Sequence, residues 1–301
     1  MAGNVSSEAK QEVLQELRDN GRASFVHIAS AVGLTRHQVA SVVQSALARD
    51  EIRLKVSVRP DVLGIERFAY LQIAVSGPAQ PVREALTEMP ETAFVADVTG
   101  HFSLDAEIRV GPDPSLRNTI DRVLQLPGVT VVRSSIYEAI ITNRFSPLQT
   151  STTPLALDSV DRSIISFLQN DVRATYREIG NATRLSPSGA RLRVERLIAS
   201  GIIKPVGIPV RTGNPTAPTL GIGIQAGVPV KELSPQLTAF DPEFLAIATG
   251  AYDFIATISA PSAGELADIV EKLRCLPGVS NVDSWANLRI VKEQYGESDV
   301  L

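Results

Sequence analysis

Two stretches of the chain, about 150 residues apart, carry apolar residues at helical spacing, and the segments after each alternate in the manner of strands. In the second stretch Asp158 can cap a helix whose inward positions are Val160, Ile164, Ile165 and Leu168. A short helix follows over Tyr176 to Ala182 around Ile179, and Leu185 sits in a tight turn. Ser186-Pro187 supplies the capping serine and first-turn proline of a third helix, which runs to Ser200 and stops at Gly201. Three helices with a tight turn before the last form a helix-turn-helix pattern, and Ile202 and Ile203 are expected to begin a strand pair, a wing. The first stretch repeats this, its third helix spanning Thr35 to about Ala48 with Val39, Val43, Ala46 and Leu47 inward.

Downstream of the first stretch, residues 68–75 read as a strand and 81–89 as a helix. Residues 93–99 and 104–110 read as strands joined at Gly100, followed by a helix over 114–125 and a strand from Val129 to Ile141. The second copy reads Leu220–Ala226, Lys231–Phe240, Leu245–Thr249, Asp253–Ala260, Ala263–Arg274 and Val279–Val291. This β-α-β-β-α-β order is the ferredoxin-like arrangement, so the fold class is α+β: two winged helix-turn-helix domains alternating with two ferredoxin-like domains. A sheet with both helices on one face needs a cover on the other, and a second such sheet is the natural one.

The repeat is legible residue by residue. Leu126-Pro127-Gly128-Val129 recurs at 276–279, and Thr99-Gly100-His101-Phe102 faces Thr249-Gly250-Ala251-Tyr252 at the same offset. Arg22-Ala23-Ser24-Phe25 faces Arg173-Ala174-Thr175-Tyr176 one residue out of step. Such a period is too long for a solenoid and indicates tandem duplication of a two-domain unit. The expected segments are 1–58 and 157–206 for the helix-turn-helix domains, 59–145 and 207–301 for the mixed domains, and a Pro/Ser/Thr linker over 146–156.

Charge follows the same division. The net charge is -4 overall, but segments 1–59 and 146–204 carry +2 and +3 while 60–145 and 205–301 carry -4 and -5. Local positive charge on the helical segments is the footprint of phosphate binding. On the third helix of the second copy Ala190, Val194, Leu197 and Ile198 fall on the core side, and Ser188, Gly189, Leu192 and Arg196 face away, flanked by Arg191 and Arg193, with Ser186 at the helix start. Arg173, Tyr176, Arg177 and Arg184 precede it, and together these suit a helix entering the major groove of double-stranded DNA. The first copy offers Arg22, Thr35, Arg36, His37, Gln38 and Ser41, but Ala40, Val42 and Ser45 stand where the second has Arg191, Arg193 and Arg196. That helix is read either as a weaker reader or as a packing element.

One cysteine and three scattered histidines argue against a disulfide framework or a metal cage, and no cofactor is implied. No run of eighteen apolar residues and no signal pattern occurs, so a cytoplasmic protein without a membrane partner is expected.

LDSVDRSIISFLQNDVRATYREIGNATRLSPSGARLRVERLIASGIIKP, with TGAYDFIATI and LPGV, resembles the leucine-responsive regulatory protein and AsnC (Lrp/AsnC) family of transcription regulators. The resemblance covers nearly the whole chain, as two members fused head to tail. It implies a DNA-binding regulator whose ferredoxin-like domains pair, assemble into homo-oligomers and bind an amino acid or related metabolite at their interfaces. By motif position the effector turn falls on Gly250, Tyr252 and Asp253, and in the first copy on Gly100, Phe102 and Ser103, where the aspartate is absent. Gly100 and Gly250 are equally read as glycines serving a tight turn. Glu195 stands where the family is usually basic. Two other readings stay open: an architectural DNA-binding protein without a ligand, and an enzyme resembling the sirohaem decarboxylases. Against the enzyme, the matching strands hold one histidine, His101, and no arginine.

Overall fold

The computed structural model describes residues 5–111, 115–148, 156–211 and 218–295. In the first copy the elements are α1 (Ser7–Asp19), α2 (Phe25–Val32), α3 (Arg36–Ala48), β1 (Ile52–Val58), a 3-10 turn at Pro60–Leu63, β2 (Arg67–Val75), α4 (Gln80–Glu88), β3 (Thr92–Val98), β4 (Leu104–Val110), α5 (Ser115–Leu124) and β5 (Val129–Asn143). The second copy has α6 (Ser159–Asn170), α7 (Tyr176–Thr183), α8 (Pro187–Ala199), β6 (Ile203–Pro209), β7 (Thr219–Ala226), α9 (Val230–Thr238), β8 (Phe244–Gly250), β9 (Phe254–Ser259), α10 (Ala263–Arg274) and β10 (Val279–Glu293). Most of the linker expected over 146–156 lies outside the described residues.

Contacts divide the chain into two units that do not follow the repeat. One gathers both helical heads (1–63, 144–210 and 295–301), the other both mixed domains (64–143 and 211–294).

In the head unit each head has a trihelical core, with Val13, Leu17, Ile28, Val39 and Val43 in one and Ile164, Leu168, Ile179, Val194 and Leu197 in the other, and the second core also takes in Val56 and Val58 from β1 of the first copy. Asp158 caps α6 and Ser186 caps α8, as the local patterns require. The expected wing is different. Neither head forms its own strand pair; β1 of the first copy pairs antiparallel with β6 of the second, from Ile52 opposite Pro209 to Val58 opposite Ile203. Each head contributes one strand, because a lone edge strand gains its hydrogen-bond partners from the neighbouring copy. Two inward assignments also change. Leu47 and Ile198 are exposed and Val42 is buried. At the last turn of α3 and α8, Ala46 and Leu197 take the buried position, while Leu47 and Ile198 beside them stay 40% and 38% exposed.

In the second unit the strands form a closed eight-stranded barrel, in the order β10-β3-β4-β2-β5-β8-β9-β7. Each copy keeps its ferredoxin-like order, and the last strand of each pairs with the second strand of the other. Fifteen-residue β5 does this by giving Val129–Ile136 to β2 and Ser135–Asn143 to β8. Alternation then sorts the faces: Leu104, Ala106, Ile108 and Val110 pack under α4 and α5, while Asp105 and Glu107 on the opposite face are also buried. The cover expected over the open sheet face is the other copy of the same chain.

Candidate DNA-contacting and effector sites

The turn into α8 is built from backbone requirements. Arg184 takes a left-handed conformation (φ 59°) where the first copy has Gly33 (φ 67°), and the Leu185 amide donates to the Gly180 carbonyl at 2.9 Å. Ser186 Oγ then accepts from the Gly189 amide at 3.1 Å and lies 3.0 Å from Ser188 Oγ. Arg177, Ser188, Arg191, Leu192 and Arg196 are exposed, and Leu192, 69% exposed, is the most open large apolar residue of the helix. An apolar side chain left in water at the centre of a basic helix suits contact with a thymine methyl. Arg191 is paired with Glu195 (2.7 Å), which raises its pKa through a hydrogen bond. Arg193 and Arg196 are both held by acids of α6.

On α3, Arg36, His37 and Ser41 are exposed. Gln38 closes a capping box: its Oε1 accepts from the Thr35 amide (2.9 Å) and hydroxyl (2.8 Å), and Thr35 Oγ1 accepts the Gln38 amide. That carbonyl oxygen is committed to the helix start, as is the Thr35 hydroxyl.

Arg22 and Arg173 are placed elsewhere than on a DNA face. Arg22 donates to the carbonyls of Val172 (2.5 Å) and Ala174 (2.9 Å), and Arg173 donates to those of Gly21 (2.9 Å) and Ala23 (3.0 Å). Each guanidinium also covers an aromatic ring of the other head, Arg22 over Tyr176 at 5.3 Å and Arg173 over Phe25 at 4.6 Å. Arg22, Arg173 and Tyr176 therefore lock the two heads to each other reciprocally. The signal was present in the repeated Arg-Ala-Ser/Thr-aromatic, but charge alone does not tell a phosphate ligand from a carbonyl ligand.

The expected effector turns converge inside the barrel. Phe102 and Tyr252 flank one guanidinium, Arg133 of β5, whose carbon lies 4.9 Å and 4.7 Å from the two ring centres. Arg133 also donates to Gln72 Oε1 (3.0 and 2.6 Å) and to the Tyr252 hydroxyl, which donates to Asp283 at 2.8 Å. Beside them Tyr70 donates to Asp105 at 2.5 Å and accepts from Trp285 Nε1 at 3.3 Å. Asp105 is fully buried and its Oδ1 has no partner; burial first, against the relief given by Tyr70, raises its pKa to about 7. The rings need bare backbone opposite them: a Cβ at Gly221 would lie 2.2 Å from Trp285, and one at Gly223 2.5 Å from Tyr252. None of Gln72, Asp105, Arg133, Asp283 and Trp285 stood out in the sequence, although the alternate glycines of Leu220-Gly221-Ile222-Gly223 were a readable sign of close approach.

The effector-turn residues differ in what they do. Asp253 Oδ2 accepts the Ala226 amide at 2.8 Å, so its charge serves the turn. The Asp253 and Ser103 amides make equivalent bonds, to the Ile224 and Ile73 carbonyls at 3.0 Å. Gly250 (φ 129°) passes so close to β5 that a Cβ would lie 2.4 Å from the Ser134 carbonyl oxygen, whereas Gly100 (φ 105°) has nothing within 4 Å. Gly250→Ala is therefore expected to cost about 3 kcal/mol and Gly100→Ala about 1 kcal/mol, the difference being the steric term. Urea unfolding of the two variants checks this, and equal costs would refute it.

Among the described residues no helix is long and apolar enough to cross a membrane.

An AsnC-type helix-turn-helix domain model matches residues 157–198. The HTH-type transcriptional regulator FL11 of Pyrococcus furiosus is 32% identical over 146 residues, which cover 46% of this chain and 93% of the relative. The HTH-type transcriptional regulator LysM of Sulfurisphaera tokodaii is 25% identical over 135 residues, 44% of this chain and 96% of that one. Each relative is thus matched by about half of a chain that carries the unit twice. Among solved structures the siroheme decarboxylase NirDL superimposes with a TM-score of 0.63 at 15% identity over 97% of this chain and 95% of that one, a likeness of fold. With the AsnC-type motif, a near full-length match to FL11 and the duplicated α+β architecture together, this chain belongs to the Lrp/AsnC family of helix-turn-helix transcriptional regulators.

Proposed function

We propose that the chain reads an asymmetric DNA site, chiefly through α8 and its approach (Arg177, Ser188, Gly189, Arg191, Leu192, Arg193 and Arg196) and weakly through Arg36, His37, Gln38 and Ser41 of the first head. The observation that carries this reading is the reciprocal Arg22–Arg173 lock, which joins one basic and one nearly neutral recognition helix within a single chain. A one-copy regulator presents two equal heads by pairing with itself, and its operator mirrors that symmetry. Here the pair is covalently linked and unequal.

The test uses the full chain on a duplex selected from a randomised pool. Arg177→Ala/Arg191→Ala is expected to weaken binding roughly 10–100-fold near physiological salt and to reduce the slope of log K against log salt by about two. Arg36→Ala/His37→Ala should cost no more than about threefold. Equal losses from the two double variants would refute the asymmetry.

The regulator is proposed to answer to an amino acid or related small metabolite, and to assemble further through its barrel unit. Support comes from the family and from a mixed-charge, aromatic cluster at the convergent turns of Phe102 and Tyr252. DNA affinity can shift only by the ligand's differential affinity for the two states, so titration with pooled amino acids at fixed salt tests it. No shift with any pool would leave the ligand-independent architectural reading. A role without enzymatic activity is part of the proposal. The fold likeness to a siroheme decarboxylase keeps one second reading, tested by whether sirohaem bound to this chain loses carbon dioxide.

A further inference from the structure

The two heads differ at one constellation as a set. In the second head Asp158 and Asp161, at the N-terminus of α6, meet Arg193 and Arg196 of α8. Arg193 Nη1 donates to Asp158 Oδ1 (2.8 Å) and Oδ2 (2.7 Å) and to Asp161 Oδ1 (2.9 Å), and Arg196 Nη2 donates to Asp161 Oδ2 (2.6 Å). At the matching positions of the first head stand Ser7, Lys10, Val42 and Ser45. There Lys10 pairs with Glu51 (2.6 Å) and Val42 is buried in the core. All four positions change together, so the constellation goes with the head whose recognition helix is basic.

Asp161 is only 1% exposed, and a buried carboxylate must be paired to be tolerated. Its oxygens are taken by the two guanidinium groups and, at 3.3 Å, by the Asp158 amide, the return bond of the capping box. The positive end of α6 favours both carboxylates at this place. The cluster therefore ties α8 to the first turn of α6 by directional bonds, in addition to the packing of Val194 and Leu197.

The arginines are not used up by this. Arg193 is held by one terminal nitrogen and Arg196 by one, and their side chains remain 29% and 46% exposed. Arg193 keeps Nε and Nη2, a side-on fork, for a further acceptor, and Arg196 keeps Nε and Nη1 as separate donors on two edges of its guanidinium. Two consequences follow from elementary electrostatics. A held arginine has already lost much of the side-chain freedom that docking otherwise takes away. The two carboxylates also cancel the two positive charges, so a phosphate in an arbitrary register feels little pull from them. Preorientation helps the matching duplex and neutralisation handicaps every duplex alike.

We propose that Asp161, with Asp158, is a positioning residue that sets the sequence discrimination of the second head, by holding Arg193 and Arg196 in one orientation while cancelling their attraction for phosphates elsewhere. The proposal rests on the reading of α8 as a DNA-contacting helix. It assigns to two acids at the start of α6, in the same head but off the recognition helix, the task of restraining its arginines.

Asp161→Asn and Asp158→Asn, in the full chain, are compared with wild type on the selected duplex and on a random duplex across a salt series. Asparagine caps a helix about as well as aspartate, so Asp158→Asn tests the charge with α6 intact. For both variants affinity for the random duplex is expected to rise about 3–10-fold, with a salt slope steeper by about one, and the ratio of selected to random affinity to fall about tenfold. A purely structural role would move the melting temperature and leave that ratio alone. If both duplexes gain affinity by the same factor, or neither changes, the proposal is overturned. Should Asp161→Asn fail to fold, Asp158→Asn alone decides in the same terms. If Arg177→Ala/Arg191→Ala leaves DNA binding intact, the reading of α8 fails and this proposal with it. If that variant weakens binding while the aspartate variants keep the wild-type ratio, the proposal alone fails.

Discussion

Replacing Arg22 and Arg173 together by alanine is expected to destabilise the paired heads by about 5 kcal/mol, the sum of four charge-assisted hydrogen bonds and two cation–aromatic contacts discounted for partial exposure. The four carbonyls that accept these bonds belong to Gly21, Ala23, Val172 and Ala174, all buried, so the variant leaves acceptors without donors as well as removing contacts. Burial, followed by the neighbouring positive charge of Arg22, pushes the Arg173 pKa below the usual arginine range. The lock thus bears some like-charge repulsion, which its hydrogen bonds outweigh. Lysine is expected to restore little at either position, because a single ammonium cannot span two carbonyls as a guanidinium fork does. Each head keeps its own helical core and the β1–β6 pair still joins them, so helix content should survive while the linkage of the heads weakens. Denaturant unfolding followed by circular dichroism checks the loss. A double variant within about 1 kcal/mol of wild type would refute the lock. Affinity for the selected duplex should fall about tenfold even though neither arginine lies on the proposed DNA face, since the heads are then joined by the β1–β6 pair and its packing alone and hold their recognition helices at a less fixed spacing.

Asp105→Asn is expected to raise stability above pH 8 by as much as about 4 kcal/mol and to leave it almost unchanged near pH 4. In the folded barrel the Asp105 carboxyl titrates at about 7, against an ordinary value of 3.8, because burial penalises the charged form more than the Tyr70 hydrogen bond favours it. Between those two values the native state holds a proton that the unfolded chain has lost. Wild-type stability from this group is therefore complete below about pH 4 and declines as pH rises through 7. Asparagine does not titrate and removes that slope. The other charged groups of the neighbourhood are Arg133, which opposes the shift, and Glu107 and Asp283. Of these, Glu107 is paired with Arg109 at 2.6 Å, and Asp283 accepts from Tyr252. Unfolding free energies of the two proteins from pH 4 to 9 check the prediction; parallel curves would show that Asp105 keeps its charge throughout.

Local chemistry explains what was legible beforehand. Asp158, Ser186-Pro187 and Gly201 act within a few residues of themselves, and the helices begin and end where they stand. Strand β4 and helix α10 occupy the expected residues, because an apolar face facing the helices in one and the sheet in the other is written into their periodicity. Errors cluster where a partner is distant. Ile198 and Leu47 have the right period for burial, but the packing around them leaves both partly open to solvent. Arg22 and Arg173 look like phosphate ligands until the heads are brought together. Asp105 and Arg133 lie on the sheet face expected to need a cover, and only closure of the barrel decides which residues of the other copy meet them there.

The sequence by itself determined the duplication, the order of elements, the family and the contrast between a basic and a nearly neutral recognition helix, all of which are local or periodic properties of the chain. Only the tertiary structure decided that the wing is shared between copies, that the two mixed domains close on each other into one barrel, and which arginines bond to backbone carbonyls of the other head and which stay exposed. Those outcomes depend on pairings between residues about 150 positions apart, such as Arg22 with Val172 and Ile52 with Pro209. A strand edge, a guanidinium or a carboxylate carries no mark of its partner, and it takes whichever acceptor or donor the folded chain brings within reach.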